Sequence, residues 1–342
     1  MSELRHDPIN RRWVNIAVER SRRPSEFHFA PPVPLEDEPP CAFCPGRESS
    51  TPPELYAVRE SGGPNAPGWL VRVIPNKAPA FAIEGDADRR GYGVYDRMRG
   101  IGAHEIVIET PVHRVKPHEL PLLQKTAAFN ASKVRIADLL RDARFKYILL
   151  FRNYGLAAGA TVHHPAQQIV ATPVTPPAIA TQLESARVHY HHKERCLFCD
   201  VIDQELTEGS RIVHVDDGYV TFAPYASRFP YEIHLYPRHH QHQFTDVSDA
   251  AMEGFAAHLL EVFRRLDVVL GDAPLNWMLV NAPNPNAGVR RAGYWNTLPW
   301  DFHWHFEILP RLTPLAGFEW GTGLYINPTP PEDAAAFLRD AR

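Results

Sequence analysis

The sequence predicts an α+β fold of two duplicated halves, each an antiparallel sheet with packed helices, and three observations carry that prediction. Four cysteines form two C-x-x-C pairs, Cys41 with Cys44 and Cys196 with Cys199, in the similar segments "CAFCPGRE" and "CLFCDVID". Downstream of each pair a Glu-Ile opens an alternating strand pattern, with a histidine eight residues after the glutamate: Glu105 to His113, Glu232 to His240. Each half then closes on a strand bearing histidines, "VHHPAQQIVATP" and "FHWHFEILPRL". One order of features occurring twice points to internal duplication, with halves at 1–178 and 179–342.

Composition agrees with this layout. A chain of 342 residues, 44% of them hydrophobic, is long enough for two domains with real cores. Its 33 prolines, about twice the usual share, predict short strands and irregular connections. The stretch "SDAAMEGFAAHLLEVFRRLDVVLG" repeats its apolar residues at helical spacing behind a Ser248 cap. A net charge of -4 argues against a nucleic-acid partner. No run approaches the ~18 apolar residues of a membrane span. The opening "MSELRHDPINRRW" lacks the apolar core of a signal peptide, so a soluble cytoplasmic protein with no membrane partner is expected.

Two separate C-x-x-C pairs in a cytosolic chain read as metal half-sites, whereas a redox motif needs one pair in a βαβ setting. Each pair requires two more ligands, and 18 histidines are available. Order and spacing nominate Cys41, Cys44, His113 and His164 for one site, and Cys196, Cys199, His240 and His303 for the other. His239 and His242 compete for the place of His240. Read alone, each histidine would be an ordinary surface or hydrogen-bonded residue; the matched order sets these four apart. Four nitrogen and sulfur ligands suit structural zinc, giving two zinc ions per chain and leaving no open position for a hydrolytic water.

These motifs, together with "RRWVNIAVERSRRP", "ETPVH", "RNYG…AGAT" and "LPRLTPLAGFE", resemble the galactose-1-phosphate uridylyltransferase branch of the histidine triad superfamily over nearly the whole chain. The resemblance implies two histidine-triad-like half-barrels and a nucleotidyltransferase of carbohydrate (galactose) metabolism. Such an enzyme moves a nucleoside monophosphate between a nucleotide sugar and a sugar 1-phosphate or phosphate, in ping-pong fashion through a nucleotidyl-histidine. A homodimer is implied as well.

In that family the first-half strand reads His-x-His-x-Gln: metal ligand, nucleophile, phosphate-holding amide. Carried over, His164 is the ligand and Gln168 the amide, and the nucleophile position falls on Ala166. Residues 164, 166 and 168 share one face of a strand, so the metal ligand anchors it while its neighbours address the α-phosphorus. Alanine cannot attack. Either an inactivating replacement stands at 166, or the chain lacks this nucleophile by nature and is an inactive nucleotide-sugar-binding protein. A third reading moves catalysis to His305, where Glu307 would replace the amide and oppose a phosphate.

The resemblance also places Arg20 and Arg23 at the phosphates, with Arg20 or Arg23 within reach of the space beside Ala166. Asn76 is placed at base and ribose, and Asn153, Gly159 and Thr161 at the remaining substrate contacts. Where the galactose enzymes carry Gly-Tyr-Glu at the hexose, this chain has Gly321-Thr322-Gly323. That departure looks like the branch containing nucleotide-sugar phosphorylases acting on ADP-glucose.

Overall fold

The alternating segments pair into one ten-stranded antiparallel sheet in this computed structural model, which describes residues 1–20, 23–29, 38–288 and 295–342. The first half contributes β3 (Tyr56–Arg59), β4 (Trp69–Pro75), β7 (Ala103–Ile108), β8 (Tyr147–Tyr154) and β9 (Ala166–Thr172), with α1 (Leu122–Leu139) between β7 and β8. The second contributes β10 (Ile212–Val215), β11 (Tyr219–Phe222), β12 (Ile233–Pro237), β13 (Leu275–Val280) and β14 (His305–Pro310), with α4 (Asp249–Leu270) between β12 and β13. Around them lie β1 (Glu3–Asp7), β2 (Arg12–Ile16), β5 (Arg90–Tyr92), β6 (Tyr95–Arg97), α2 (Pro177–Lys193), α3 (Leu197–Glu208), α5 (Leu298–Asp301), α6 (Gly317–Thr322), β15 (Tyr325–Asn327) and α7 (Pro331–Asp340).

Strand order repeats. From one edge the sheet runs β3-β4-β7-β9-β8, and from the other β10-β11-β12-β14-β13, the two sets meeting where β8 pairs with β13. The halves therefore share one sheet and one main core. Phe129 of α1 and Phe255 of α4 meet edge-on with ring centroids 5.0 Å apart, above Trp277 and Phe306 on the neighbouring strands of the second half. Ser248 caps α4 as its sequence predicts, accepting from Ala251 N at 3.2 Å, and Gly271 closes that helix at φ +65°. The expected boundary at 178/179 falls in the first turn of α2, which packs against α3 and α5. Residues 3–16 also lie with the second half, because β15 joins β2 in a small three-stranded sheet.

Register corrects one part of the repeat. Gln168 pairs with Ile106, whereas Glu307, its counterpart two residues beyond His305, pairs with His234. Glu105 and Glu232 are thus one residue out of step, and in a strand one residue reverses the face. Glu105 points at α1, bound by Arg135 at 2.7 and 2.8 Å; Glu232 points to the opposite face, bound by Arg228 and His234.

Candidate active site and metal centres

The two cysteine pairs sit in short turns that bring both thiols to one point, and each turn faces the foot of a histidine strand. Cys44 N bonds Cys41 O at 3.4 Å, and Cys196 lies immediately before α3 with Cys199 in its first turn. His164 and His303 each stand two residues ahead of the first residue of their strands, β9 and β14. The loops after β7 and β12 deliver His113 and His240. In each set of four the ligand atoms lie within 4.8 Å of one another.

The distances suit a tetrahedral ion. With Zn–S ~2.3 Å and Zn–N ~2.05 Å, neighbouring ligands should lie about 3.6 Å apart. Cys44 Sγ is 3.3 Å from His113 Nδ1 and 3.8 Å from His164 Nδ1, and Cys41 Sγ is 3.7 Å from His164 Nδ1. In the second set Cys199 Sγ is 3.4 Å from His240 Nδ1 and 3.6 Å from His303 Nδ1. Neither His239 nor His242 belongs to it.

Outer partners settle which nitrogen faces the centre. His164 Nε2 donates to Thr110 O at 2.8 Å, His240 Nε2 to Pro299 O at 3.0 Å, and His113 Nε2 meets the Glu38 carboxylate at 2.7 Å. Each leaves a bare Nδ1 for a cation, the usual arrangement of metal-bound imidazoles. Burial lowers the His164 pKa to about 4 and so keeps the ring neutral. The hydrogen bond from Cys196, with His240 and His303 alongside, lowers the Cys199 pKa toward the thiolate that a metal takes, while Cys196 is pushed up.

Beside the first centre lies a cavity of about 260 Å³. Ala166 and Gln168 line it from β9, which buries Gln167, Ile169 and Ala171 on its other face. Asn76, Asn153, Gly159, Thr161 and His164 line it too, so these predicted residues do converge. The turn after β8 needs glycine: Gly155 has φ +79°, and a Cβ there would lie 2.9 Å from the Pro274 ring. Gly159 follows at φ +86°, its carbonyl accepting weakly from Asn153 Nδ2 at 3.4 Å. Asn276 of β13 donates to Asn153 Oδ1 at 2.8 Å, so the second half orients a residue of the first half's pocket.

Other predicted residues lie elsewhere. Arg20 ends a short exposed turn at Val18–Arg20, and Arg23 lines a separate cavity with Thr329, Asp333 and Phe337 of the α7 region. Gly321, Thr322 and Gly323 lie at the end of α6, with Gly323 at φ +71° as its cap, and none of them lines the Ala166 cavity. Among the described residues the cation lining that cavity is Lys77, not Arg20 or Arg23. His305 lines a second, larger cavity of about 460 Å³ in the other half. Its neighbour Glu307 is fully buried, a cost outweighed by Arg228 at 2.6 Å, which holds the carboxyl well below its usual range. A fixed negative charge there opposes a phosphate, which disfavours catalysis at His305.

Reasoning from sequence missed Lys77, Asn276, Glu38 and His104. The last had a signal: His104 alternates with Ile106 and Ile108 on the face opposite the helix-directed Glu105.

No described helix is long and apolar enough to cross a membrane. The family profile described as "Galactose-1-phosphate uridyl transferase, C-terminal domain" matches residues 182–313. The chain is 31% identical over 341 residues to ADP-glucose phosphorylase of Arabidopsis thaliana, covering 99% of this chain and 92% of that one. It is 28% identical over 348 residues to galactose-1-phosphate uridylyltransferase of Thermotoga maritima, covering 99% and 98%. Among solved structures, it matches the Arabidopsis thaliana ADP-glucose phosphorylase with bound ADP-glucose at TM-score 0.82 and 29% identity over the full length of both chains. A uridylyltransferase structure matches at 0.73 and 27%, covering 100% of this chain and 98% of that one.

Proposed function

The chain belongs to the galactose-1-phosphate uridylyltransferase family, whose enzymes are nucleotidyltransferases, and we propose that its site takes a nucleoside diphosphate sugar of the ADP-glucose kind. With a histidine in place of Ala166, an imidazole nitrogen would attack the α-phosphorus, and the bond from that phosphorus to the bridging oxygen would break. The sugar 1-phosphate leaves. An oxygen of inorganic phosphate or of a second sugar 1-phosphate then attacks the same phosphorus, and the nitrogen–phosphorus bond breaks. The single observation that carries this reading is the placement of Ala166 in the cavity, beside Gln168 and two residues from the metal-ligand candidate His164.

Every other part has a candidate in place. Gln168 holds the phosphoryl oxygens, Lys77 offers positive charge, and Asn76, Asn153 and Thr161 line the nucleotide side. Zinc, held by Cys41, Cys44, His113 and His164 and in the other half by Cys196, Cys199, His240 and His303, supplies structural anchoring only. All four of its positions would be filled by protein. The choice of an ADP-glucose-like donor rests on the 31% identical relative. The repeated strand order supports a duplication with halves at 1–178 and 179–342. Four free thiols suit a reducing compartment, which we take to be the cytoplasm.

Ala166 itself favours a second reading, a protein that binds a nucleotide sugar without transferring from it. Titration calorimetry with ADP-glucose and UDP-glucose tests what the two readings share. Binding of ADP-glucose in preference to UDP-glucose is expected; binding of neither sinks both.

A further inference from the structure

A hydrogen-bonded chain crosses three neighbouring strands beside the Ala166 cavity, which Asn76 and Gln168 line, and His104 stands at its centre. On one side His104 Nδ1 lies 3.2 Å from Ala80 N. On the other, His104 Nε2 lies 2.9 Å from Gln168 Oε1. Asn76 completes the chain: its backbone N–H donates to the His104 carbonyl at 2.8 Å, and its Oδ1 accepts from Ala78 N at 3.0 Å. Its Nδ2 rests 3.1 Å from His104 Nε2 and 3.5 Å from Nδ1.

The tautomer follows from the partner that cannot change. A backbone N–H only donates, so Nδ1 facing Ala80 N must carry the lone pair, and the proton of the neutral ring sits on Nε2. An Nε2–H must in turn meet an acceptor, which fixes the near atom of Gln168 as its oxygen. The Asn76 amino group is the one contact that the opposite tautomer would satisfy better. That tautomer would set two donors against each other at Ala80, and would turn the Gln168 amide over.

We propose that His104 is a positioning residue for nucleotidyl transfer: its Nε2–H holds Gln168 Oε1 and so presents the Gln168 amide N–H groups to the phosphoryl oxygens of the bound nucleotide. The alternative flip of Gln168 would aim a carbonyl oxygen at an anion, turning attraction into repulsion. His104 touches no substrate in this scheme. Its effect passes wholly through Gln168, and the inference rests on the nucleotide-sugar reading above.

Nitrogen-15 spectra of the imidazole in the unliganded protein test the first step independently of any substrate. A protonated Nε2 and bare Nδ1 are expected; a protonated Nδ1 overturns the proposal. The second step is read with ADP-glucose as the probe, by calorimetry on the chain as it stands. His104→Phe should weaken binding on the order of tenfold. His104→Gln, which keeps an N–H near the Nε2 position, should recover most of that loss. In a Gln168→Ala background His104→Phe should change nothing further, whereas a merely structural role for His104 would weaken binding again. An unchanged affinity for His104→Phe, or an equal loss with and without Gln168, overturns the proposal. Should the parent chain fail to bind ADP-glucose, the functional reading falls, and the nitrogen-15 result still decides whether His104 orients Gln168.

Discussion

Replacing Ala166 by histidine is expected to raise nucleotidyl transfer at least ~100-fold, equivalent to about 2.7 kcal/mol of transition-state stabilisation. The half-buried Ala166 opens onto a cavity of about 260 Å³, so the ring enters open space and avoids the penalty of overpacking a closed core. The second half shows how the ring would be held. There His305 occupies the corresponding place, and its Nδ1 lies 3.1 Å from the carbonyl of His303, the candidate ligand two residues before it. A histidine at 166 would by the same geometry donate Nδ1–H to the His164 carbonyl and aim a bare Nε2 into the cavity, as a nucleophile requires. The assay is intact-mass spectrometry after mixing with ADP-glucose. The variant should gain the mass of one nucleoside monophosphate in an acid-labile bond, and the parent should not. Steady-state turnover with phosphate as acceptor gives the ratio of rates. If the parent turned over as fast as the variant, the nucleophile would lie elsewhere and the reasoning from β9 would fail. If the variant bound ADP-glucose but never acquired the label, the inferred ring geometry would be wrong.

Elemental analysis should find about two zinc ions per chain, with Cys44→Ser and Cys199→Ser each losing one; a chain folded and metal-free would refute both ligand sets. Acidification should release the metals, because protons compete for thiolate and imidazole alike, and thermal stability should fall with them. Glu109 is fully buried between Lys125 at 3.1 Å and Arg152 at 2.8 Å, directly ahead of Thr110, whose carbonyl holds His164. Glu109→Gln leaves two buried cations short of their counter-charge and should cost about 3–5 kcal/mol in urea unfolding; a loss below about 1 kcal/mol would contradict this. Glu232 is fully buried, but Arg228 and then His234 outweigh that burial and hold its pKa at about 2 against an ordinary 4.5. A depressed carboxyl contributes stability above its unfolded pKa and loses it as pH falls toward the folded one. Urea midpoints should therefore decline between pH 4.5 and about 2, and Glu232→Gln should flatten that part of the profile.

Covalent order alone determined much of this protein. The C-x-x-C pairs, the strand histidines and the Ser248-capped helix are local or periodic signals, and they pointed to the α+β repeat and to two Cys/His sets that the structure gathers, while the family resemblance put an alanine at the nucleophile position. These were legible because metal coordination restricts residue types and strand alternation fixes which neighbours share a face. Tertiary structure decided what spacing does not encode. The one-residue slip between Glu105 and Glu232 is invisible in a motif count, yet it turns one carboxylate to Arg135 and the other to Arg228. Arg20 and Arg23 carry a suggestive pattern, but the path of the chain takes them to other surfaces, and Lys77 lines the cavity instead. Asn276 reaches Asn153 only because β13 pairs with β8 across the two halves. His104 acquires a role only because β7 lies between β4 and β9, bringing Asn76 and Gln168 to its two sides. Such contacts join residues tens to more than a hundred positions apart, and they follow from sheet order and register, which the packing of the whole core selects.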